Sequence, residues 1–144
     1  MAHRSQTLSR RGFLQGSAAA CMAFSVPTII PGSALGADGA VAPSERITVG
    51  GLGLGSRGSY VLSEFLKFPV AQFVAIADCQ KTRREKVKQM VDQTCGNSDC
   101  VTYQDMFDVL GRDDIDAMLI ATGDRWHTMA SITAARAGKD IYCE

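Results

Sequence analysis

The chain has 144 residues, enough for one domain of ordinary size but not for a nucleotide domain and a separate substrate domain. Lys+Arg and Asp+Glu are equal at 15 each, so there is no electrostatic case for a nucleic-acid or membrane-surface partner. Hydrophobic residues make up 46%, sufficient for a globular core. Five cysteines contain no Cys-x-x-Cys, and neither histidine lies near a cysteine cluster, so no zinc site is expected.

The first segment reads as an export signal. A basic start with Ser9-Arg10-Arg11-Gly12-Phe13-Leu14 runs into a short apolar stretch, Ala18 to Val26, then Pro27, Pro31 and the small residues Ser33 to Ala37. This is the three-part plan of a secretory signal. Its Ser-Arg-Arg-Gly-Phe-Leu core resembles the twin-arginine signal. The prolines break a helix and the apolar run is too short to span a bilayer. Cleavage is expected after Gly36 or Ala37, giving a periplasmic mature chain with no membrane span. A pathway that carries folded proteins would let a cytoplasmic cofactor load before export. Residues 38–45, small and polar with one proline, read as a linker.

From residue 46 to 144, strands and helices alternate. Ile47 to Leu52 is a first strand. Ser59 to Phe68 is a helix with Tyr60, Val61, Phe65 and Leu66 near helical spacing, ended by Pro69. Ala71 to Ala77 is a continuous apolar strand, and Lys81 to Gln93 a charged helix with Val87, Met90 and Val91 inward and Gly96 as its stop. Cys95 and Cys100, which come next, are either a disulfide or two ordinary thiols near a loop. Val101 to Tyr103 is a short strand. Asp105 to Leu110 is a short helix with Phe107 and Leu110 inward, and Ala117 to Ala121 is a fourth strand. An Ala-rich helix from Thr128 to Ala137 closes at Gly138, and Ile141 to Cys143 begins a fifth strand. Continuous apolar strands alternating with helices specify a parallel sheet covered on both faces. The fold class is therefore α/β, a Rossmann-type doubly wound sheet, truncated after five strands and preceded by an export signal.

The turn Gly53-Leu54-Gly55-Ser56-Arg57-Gly58 joins the first strand to the first helix. That is the context a dinucleotide fingerprint needs. Gly53 permits the tight turn, Gly55 lets backbone amides approach a pyrophosphate, and Gly58 allows close helix–strand packing. The helix start at Ser56 offers free N–H groups and partial positive charge to phosphates. Arg57 either reaches a cofactor phosphate or points into water. Asp78 ends the second strand 25 residues after Gly53, where an acidic residue accepts the ribose hydroxyls and repels a 2′-phosphate. NAD is favoured and NADP not excluded, since Lys81, Arg83 and Arg84 either pair with a 2′-phosphate or form a solvated helix face.

Several segments together resemble the Gfo/Idh/MocA oxidoreductases, the glucose–fructose oxidoreductase and inositol dehydrogenase group. Gly123-Asp124-Arg125-Trp126-His127 looks like the family's Pro-Asp-His-Trp-His loop, and Gly138 to Glu144 like the lead into its Glu-Lys-Pro motif. The resemblance implies that Thr122, Trp126 and His127 lie toward the nicotinamide half of the cofactor and that Glu144 sits beside the nicotinamide ribose. It implies hydride transfer on a sugar, sugar derivative or cyclitol, and a possible homo-oligomer. Gly123 replaces the family's proline, which should loosen the loop, and Arg125 its first histidine. The family's catalytic lysine after Glu144 and its C-terminal substrate domain are not in the sequence, so no catalytic residue is assigned and the chain alone is expected to be inactive. The competing readings are a non-enzymatic dinucleotide-binding module and an S-adenosylmethionine-dependent methyltransferase. Ending at the fifth strand is expected to leave an apolar edge uncovered and solubility poor.

Overall fold

The computed structural model describes residues 30, 32–37 and 41–144. The chain divides into a first unit, residues 1–31, and a second, residues 32–144. The twin-arginine motif and the apolar stretch after it lie outside the described residues. The strands and helices below all belong to the second unit.

Within the expected linker, Pro43–Glu45 forms a single 3-10 turn. Five strands come after it: β1 (Ile47–Leu52), β2 (Ala71–Ala77), β3 (Val101–Tyr103), β4 (Ala117–Ile120) and β5 (Asp140–Cys143). They alternate with α1 (Ser56–Phe65), α2 (Lys81–Cys95), α3 (Met106–Leu110) and α4 (Asp124–Arg136). The sheet order is β3-β2-β1-β4-β5, and all four pairings are parallel. The order reverses direction beside β1: from it the chain works outward to β2 and β3, then returns to β4. Open α/β sheets bind ligands at the carboxyl ends of the strands at such a point.

The strands are apolar on both sides because both sides are covered. One core layer joins Val61 and Leu62 of α1 and Val87 and Val91 of α2 to Val49, Phe73, Ile76 and Leu119 of the sheet. The other joins Val109 and Leu110 of α3 and Ala130 and Ala134 of α4 to Leu52, Val74, Met118 and Ile120. Small residues four apart let α4 lie close on the sheet. β5 is exposed along its whole length, as expected for an edge, although Tyr142 meets Phe65 edge to face at 5.3 Å between centroids.

Boundaries differ where the sequence pattern was weak. The first helix begins at Ser56, three residues earlier than its apolar spacing suggested, and buries Gly58, Val61 and Leu62. Tyr60, expected inward, is consequently exposed. Phe107 is also exposed, because a helix of only five residues turns just Val109 and Leu110 to the core. The last helix begins at Asp124, not Thr128, so the expected loop over 124–127 is its first turn; Gly123 is its N-cap. An acidic residue suits that position, where amides are free and the helix dipole is positive. Gly96 ends α2 as expected, in the left-handed conformation at φ 67°. Cys79, Cys95, Cys100 and Cys143 are free thiols.

At the amino ends of the strands a polar clamp fixes the frame. The Thr48 amide and hydroxyl both donate to Asp116 Oδ2 at 2.7 Å, and the hydroxyl also lies 2.6 Å from the Asp114 carbonyl. Arg112 reaches Asp114 through two nitrogens and donates to the Val74 carbonyl. Lys139 is buried, and its ammonium donates to the carbonyls of Arg112 and Ile115 at 2.6 and 3.0 Å.

Candidate cofactor site

The carboxyl ends of β1, β2 and β4 border a cleft of about 830 Å³. Gly53 turns the chain out of β1 at φ 66°, a region that residues with a Cβ enter at a cost. Its amide donates to the Ala77 carbonyl at 2.8 Å, tying the turn to β2. A Cβ there would stand 2.6 Å from Thr122 Cα, so the turn runs against β4's exit as well. At Gly58 a Cβ would stand 2.8 Å from that of Ala121, so glycine lets α1 rest on the end of β4. Gly55, the N-cap, has no such crowding; its nearest neighbour is Arg83 Nη1, 3.6 Å from where a Cβ would be.

No side chain caps α1. The amides of its first turn, Ser56, Arg57 and Gly58, lack intrahelical partners and sit on the cleft. An uncapped helix start beside glycine without a Cβ is an anion cradle, the fit a pyrophosphate requires.

Asp78 comes directly after β2 and is buried, 6% exposed. Its Oδ1 accepts from the Gln80 amide at 2.8 Å, which fixes the carboxylate at the cleft. The basic residues beyond it do three different things. Lys81 pairs with Glu85, Arg84 donates to the Asp78 carbonyl, and Arg83 lines the cleft. Lys81 and Arg83 are exposed, as a solvated helix face requires, and only Arg84 is partly buried by its bond to the Asp78 carbonyl.

Thr122, Gly123 and Trp126 line the cleft after β4. Thr122 Oγ1 and His127 Nε2 are buried without a hydrogen-bond partner. Buried polar atoms are rarely left so, and Thr122 is a lining residue of the cleft. Trp126 is 54% exposed, its amide bonded to the Gly123 carbonyl at 2.9 Å.

Eight of the ten expected contact residues thus meet at one cleft: Gly53, Gly55, Ser56, Arg57, Gly58, Asp78, Thr122 and Trp126. His127 and Glu144 do not line it. The Glu144 carboxylate instead binds the Arg57 guanidinium and accepts from the Tyr142 hydroxyl at 3.0 Å. Arg57, which lines the cleft, also lies over the Tyr60 ring, and its side chain stays 66% exposed. Its guanidinium, and then the Tyr142 hydroxyl, hold the Glu144 carboxyl below its ordinary value, while the Tyr142 phenol is pushed up by the same bond. Sequence reasoning missed the wall formed by Cys79 and residues 104–108. The glycine fingerprint marks only the strand–helix turn, and no comparable motif marks the loop after β3.

The profile of the Gfo/Idh/MocA oxidoreductases, described as an oxidoreductase family with an NAD-binding Rossmann fold, matches residues 47–144. The chain belongs to this family. Among curated relatives, a glycosyl hydrolase family 109 protein of Saccharopolyspora erythraea is 30% identical over 98% of this chain and 34% of its own length. An alpha-N-acetylgalactosaminidase of Shewanella oneidensis is 30% identical over 79% of this chain and 26% of its own. The chain thus spans about a third or less of the relatives it matches. Among solved structures, scyllo-inositol dehydrogenase of Lactobacillus casei with bound NAD(H) and scyllo-inositol superposes with a TM-score of 0.60 at 22% identity. It covers 68% of this chain and 27% of that one. At that identity the likeness shows the fold. In this Gfo/Idh/MocA chain, fold and family agree with the glycine turn and its acidic partner. Among the described residues there is no candidate metal cluster, and no helix is long and apolar enough to cross a membrane.

Proposed function

We propose that the cleft binds NAD, and that the chain is the nucleotide domain of an exported oxidoreductase acting on a sugar, sugar derivative or cyclitol. The observation that carries the cofactor reading is the uncapped start of α1 on a glycine turn, with Asp78 fixed at the end of the neighbouring strand. The amides of Ser56 to Gly58 would hold the pyrophosphate and Asp78 the adenosine ribose. Thr122 Oγ1 would donate to or accept from the cofactor's other half. Bound there, the cofactor supplies a hydride acceptor. Three carboxylates, Asp78, Asp105 and Asp108, line the cleft's β2/β3 side against the single cation Arg83. Their repulsion of a 2′-phosphate favours NAD over NADP.

Calorimetric titration of the chain with NAD, NADP and S-adenosylmethionine tests the reading. NAD should bind, NADP more weakly, and Asp78→Ala should weaken NAD while narrowing the difference. Binding of S-adenosylmethionine in place of NAD would sink it. The export reading rests on Ser9-Arg10-Arg11-Gly12-Phe13-Leu14 and the apolar run behind it. Replacing Arg10 and Arg11 by lysine should retain a fused reporter in the cytoplasm, and unchanged export would refute the twin-arginine route.

A second reading, favoured by the names of the two curated relatives, is that the redox domain serves a glycosidase. A sugar ring carbinol would be oxidised and reduced again within one turnover. The net reaction is then hydrolysis, outside the usual two-carboxylate scheme, and no coenzyme is consumed. Cleavage of an N-acetylgalactosaminide by the protein without accumulation of NADH favours this reading; stoichiometric NADH favours the dehydrogenase.

A further inference from the structure

The cleft divides around the glycine turn into two arms, one beyond β4 and one beyond β2 and β3, and Arg57 lines it at the turn itself. The Arg57 amide is one of the free amides that open α1. An anion held by those amides therefore lies within reach of the Arg57 side chain. The guanidinium is nonetheless engaged elsewhere, by Glu144 Oε1 and by the Tyr60 ring, whose centroid is 5.5 Å away. A carboxylate of the protein thus neutralises the cation beside the anion cradle.

Glu144 is built to hold that cation. Its side chain is mostly covered, while that of Arg57 is exposed. One carboxylate oxygen takes the guanidinium, and the other accepts from the Tyr142 hydroxyl at 3.0 Å. The Tyr142 ring in turn meets Phe65, about two turns further along α1. The end of β5 is therefore strapped to α1 at two points. Among the described strands β5 pairs with β4 alone, so the far end of the strap is the part that the sheet holds least. An ion pair with so exposed a partner is weak. A phosphate offers the same guanidinium a bidentate partner of higher charge.

We propose that the Arg57–Glu144 contact is an autoinhibitory clasp: a phosphate ligand at the glycine turn must take Arg57 from Glu144, and the exchange releases the end of β5. The clasp rests on the proposal that the cleft binds a dinucleotide. It gives the turn a competitor inside the chain, and it makes the edge of the sheet report whether the turn is loaded. Linkage requires both effects to have the same source, since whatever favours the released strand must favour the ligand equally.

The test is calorimetric titration of the whole chain and its variants with NAD and ADP, together with hydrogen exchange of the β5 amides. ADP carries the two phosphates without the nicotinamide half, so a direct contact between Glu144 and that half does not enter. Glu144→Gln should tighten ADP about threefold. Arg57→Met should weaken ADP, and adding Glu144→Gln to it should change nothing further, whereas a purely through-space charge effect would persist without Arg57. In the parent, ADP should quicken exchange of the Glu144 amide, which bonds to the Ile120 carbonyl at 2.9 Å. In Glu144→Gln that exchange should be fast with or without ADP. Should Arg57→Met fail to fold, Arg57→Gln completes the same cycle. If the parent binds ADP but Glu144→Gln binds it no more tightly, or Arg57→Met binds it as well as the parent, the clasp is overturned and the cofactor reading stands. Tightening that survives in the Arg57→Met background overturns it too, as does β5 exchange that ADP leaves unchanged or slows. If the parent binds neither NAD nor ADP, the cofactor reading falls and takes the clasp with it.

Discussion

At the amino ends of β1 and β4, polar groups are bonded to one another. Thr48, Asp116, Asp114, Arg112 and Lys139 all find partners in the fold itself. At the carboxyl ends of the same strands the pattern inverts. The α1 amides are uncapped, Thr122 Oγ1 is buried and unpaired, Arg83 lies on the cleft, and Trp126 and Phe107 are exposed. The difference teaches where the molecule's own needs are met and where a partner is expected. An orphaned buried group costs stability, and such costs concentrate at sites.

The largest expected effect comes from joining the two ends' fates at the glycine turn. Gly53→Ala forces a Cβ into backbone at positive φ and against Thr122. It should cost on the order of 3 kcal/mol and abolish NAD binding together, read by thermal denaturation and calorimetry. A variant of full stability and affinity would show that the turn can shift to make room for the added carbon.

The comparison sharpens with a matched pair of threonines. Thr48→Val removes hydroxyl bonds to Asp114 and Asp116; it should cost about 1–2 kcal/mol of stability and leave NAD affinity alone. Thr122→Val removes an unpaired hydroxyl, so stability should hold or rise slightly while NAD binding weakens about fivefold. The same pattern of loss in both variants would erase the distinction.

Acid should attack the amino end. The Thr48 amide, then its hydroxyl, holds the Asp116 carboxyl below its ordinary value, and Arg112 does the same for Asp114. A carboxyl lowered in the folded state contributes stability that is complete above the unfolded value near pH 4. That contribution is lost as pH falls through the lowered folded value. Asp116→Asn should therefore be less stable than the parent at pH 7, and the gap should close on acidification, as followed by urea denaturation. A gap constant from pH 7 to about 2 would remove Asp116 from the clamp.

The smallest effect concerns thiols. Burial pushes Cys100 up to about 12, so it should resist an aromatic disulfide reagent at pH 8 in the folded chain, while exposed Cys79 and Cys143 react. NAD should slow Cys79, which lines the cleft. Fast labelling of Cys100 in the native chain would mean that the α2 end opens readily.

Much of the carboxyl end was legible in the sequence because the chemistry there is written locally. Gly53, Gly55 and Gly58 sit at fixed offsets between a strand and a helix, and Asp78 closes the next strand. The strand pattern also carried the parallel sheet, since Ala71 to Ala77 is apolar without alternation. Lys139 was not legible: its partners are carbonyls 24 and 27 residues away, and a lysine beside a glycine turn reads as solvent-facing. Phe107 and Tyr60 misled because periodicity assigns an inner face only when the helix phase is known, and both helices are short or begin earlier than their apolar residues. The first turn of α4 was read as a loop because Asp124 to His127 carries no apolar stripe.

The pairing of β1 with β4 has a consequence for how the molecule is made. Leu52 pairs with Ala77 on one side and with Ile120 on the other. The second contact closes a loop of about 70 residues, so its chain-entropy cost exceeds that of the first. Strand order thus implies an assembly order, in which β1 and β2 zip early and β4 docks late. Gly53 and Thr122 meet only at that last step. The coenzyme cleft is then a certificate of completed folding, and a ligand that bridges its two arms would slow the chain's unravelling from the seam that closed last.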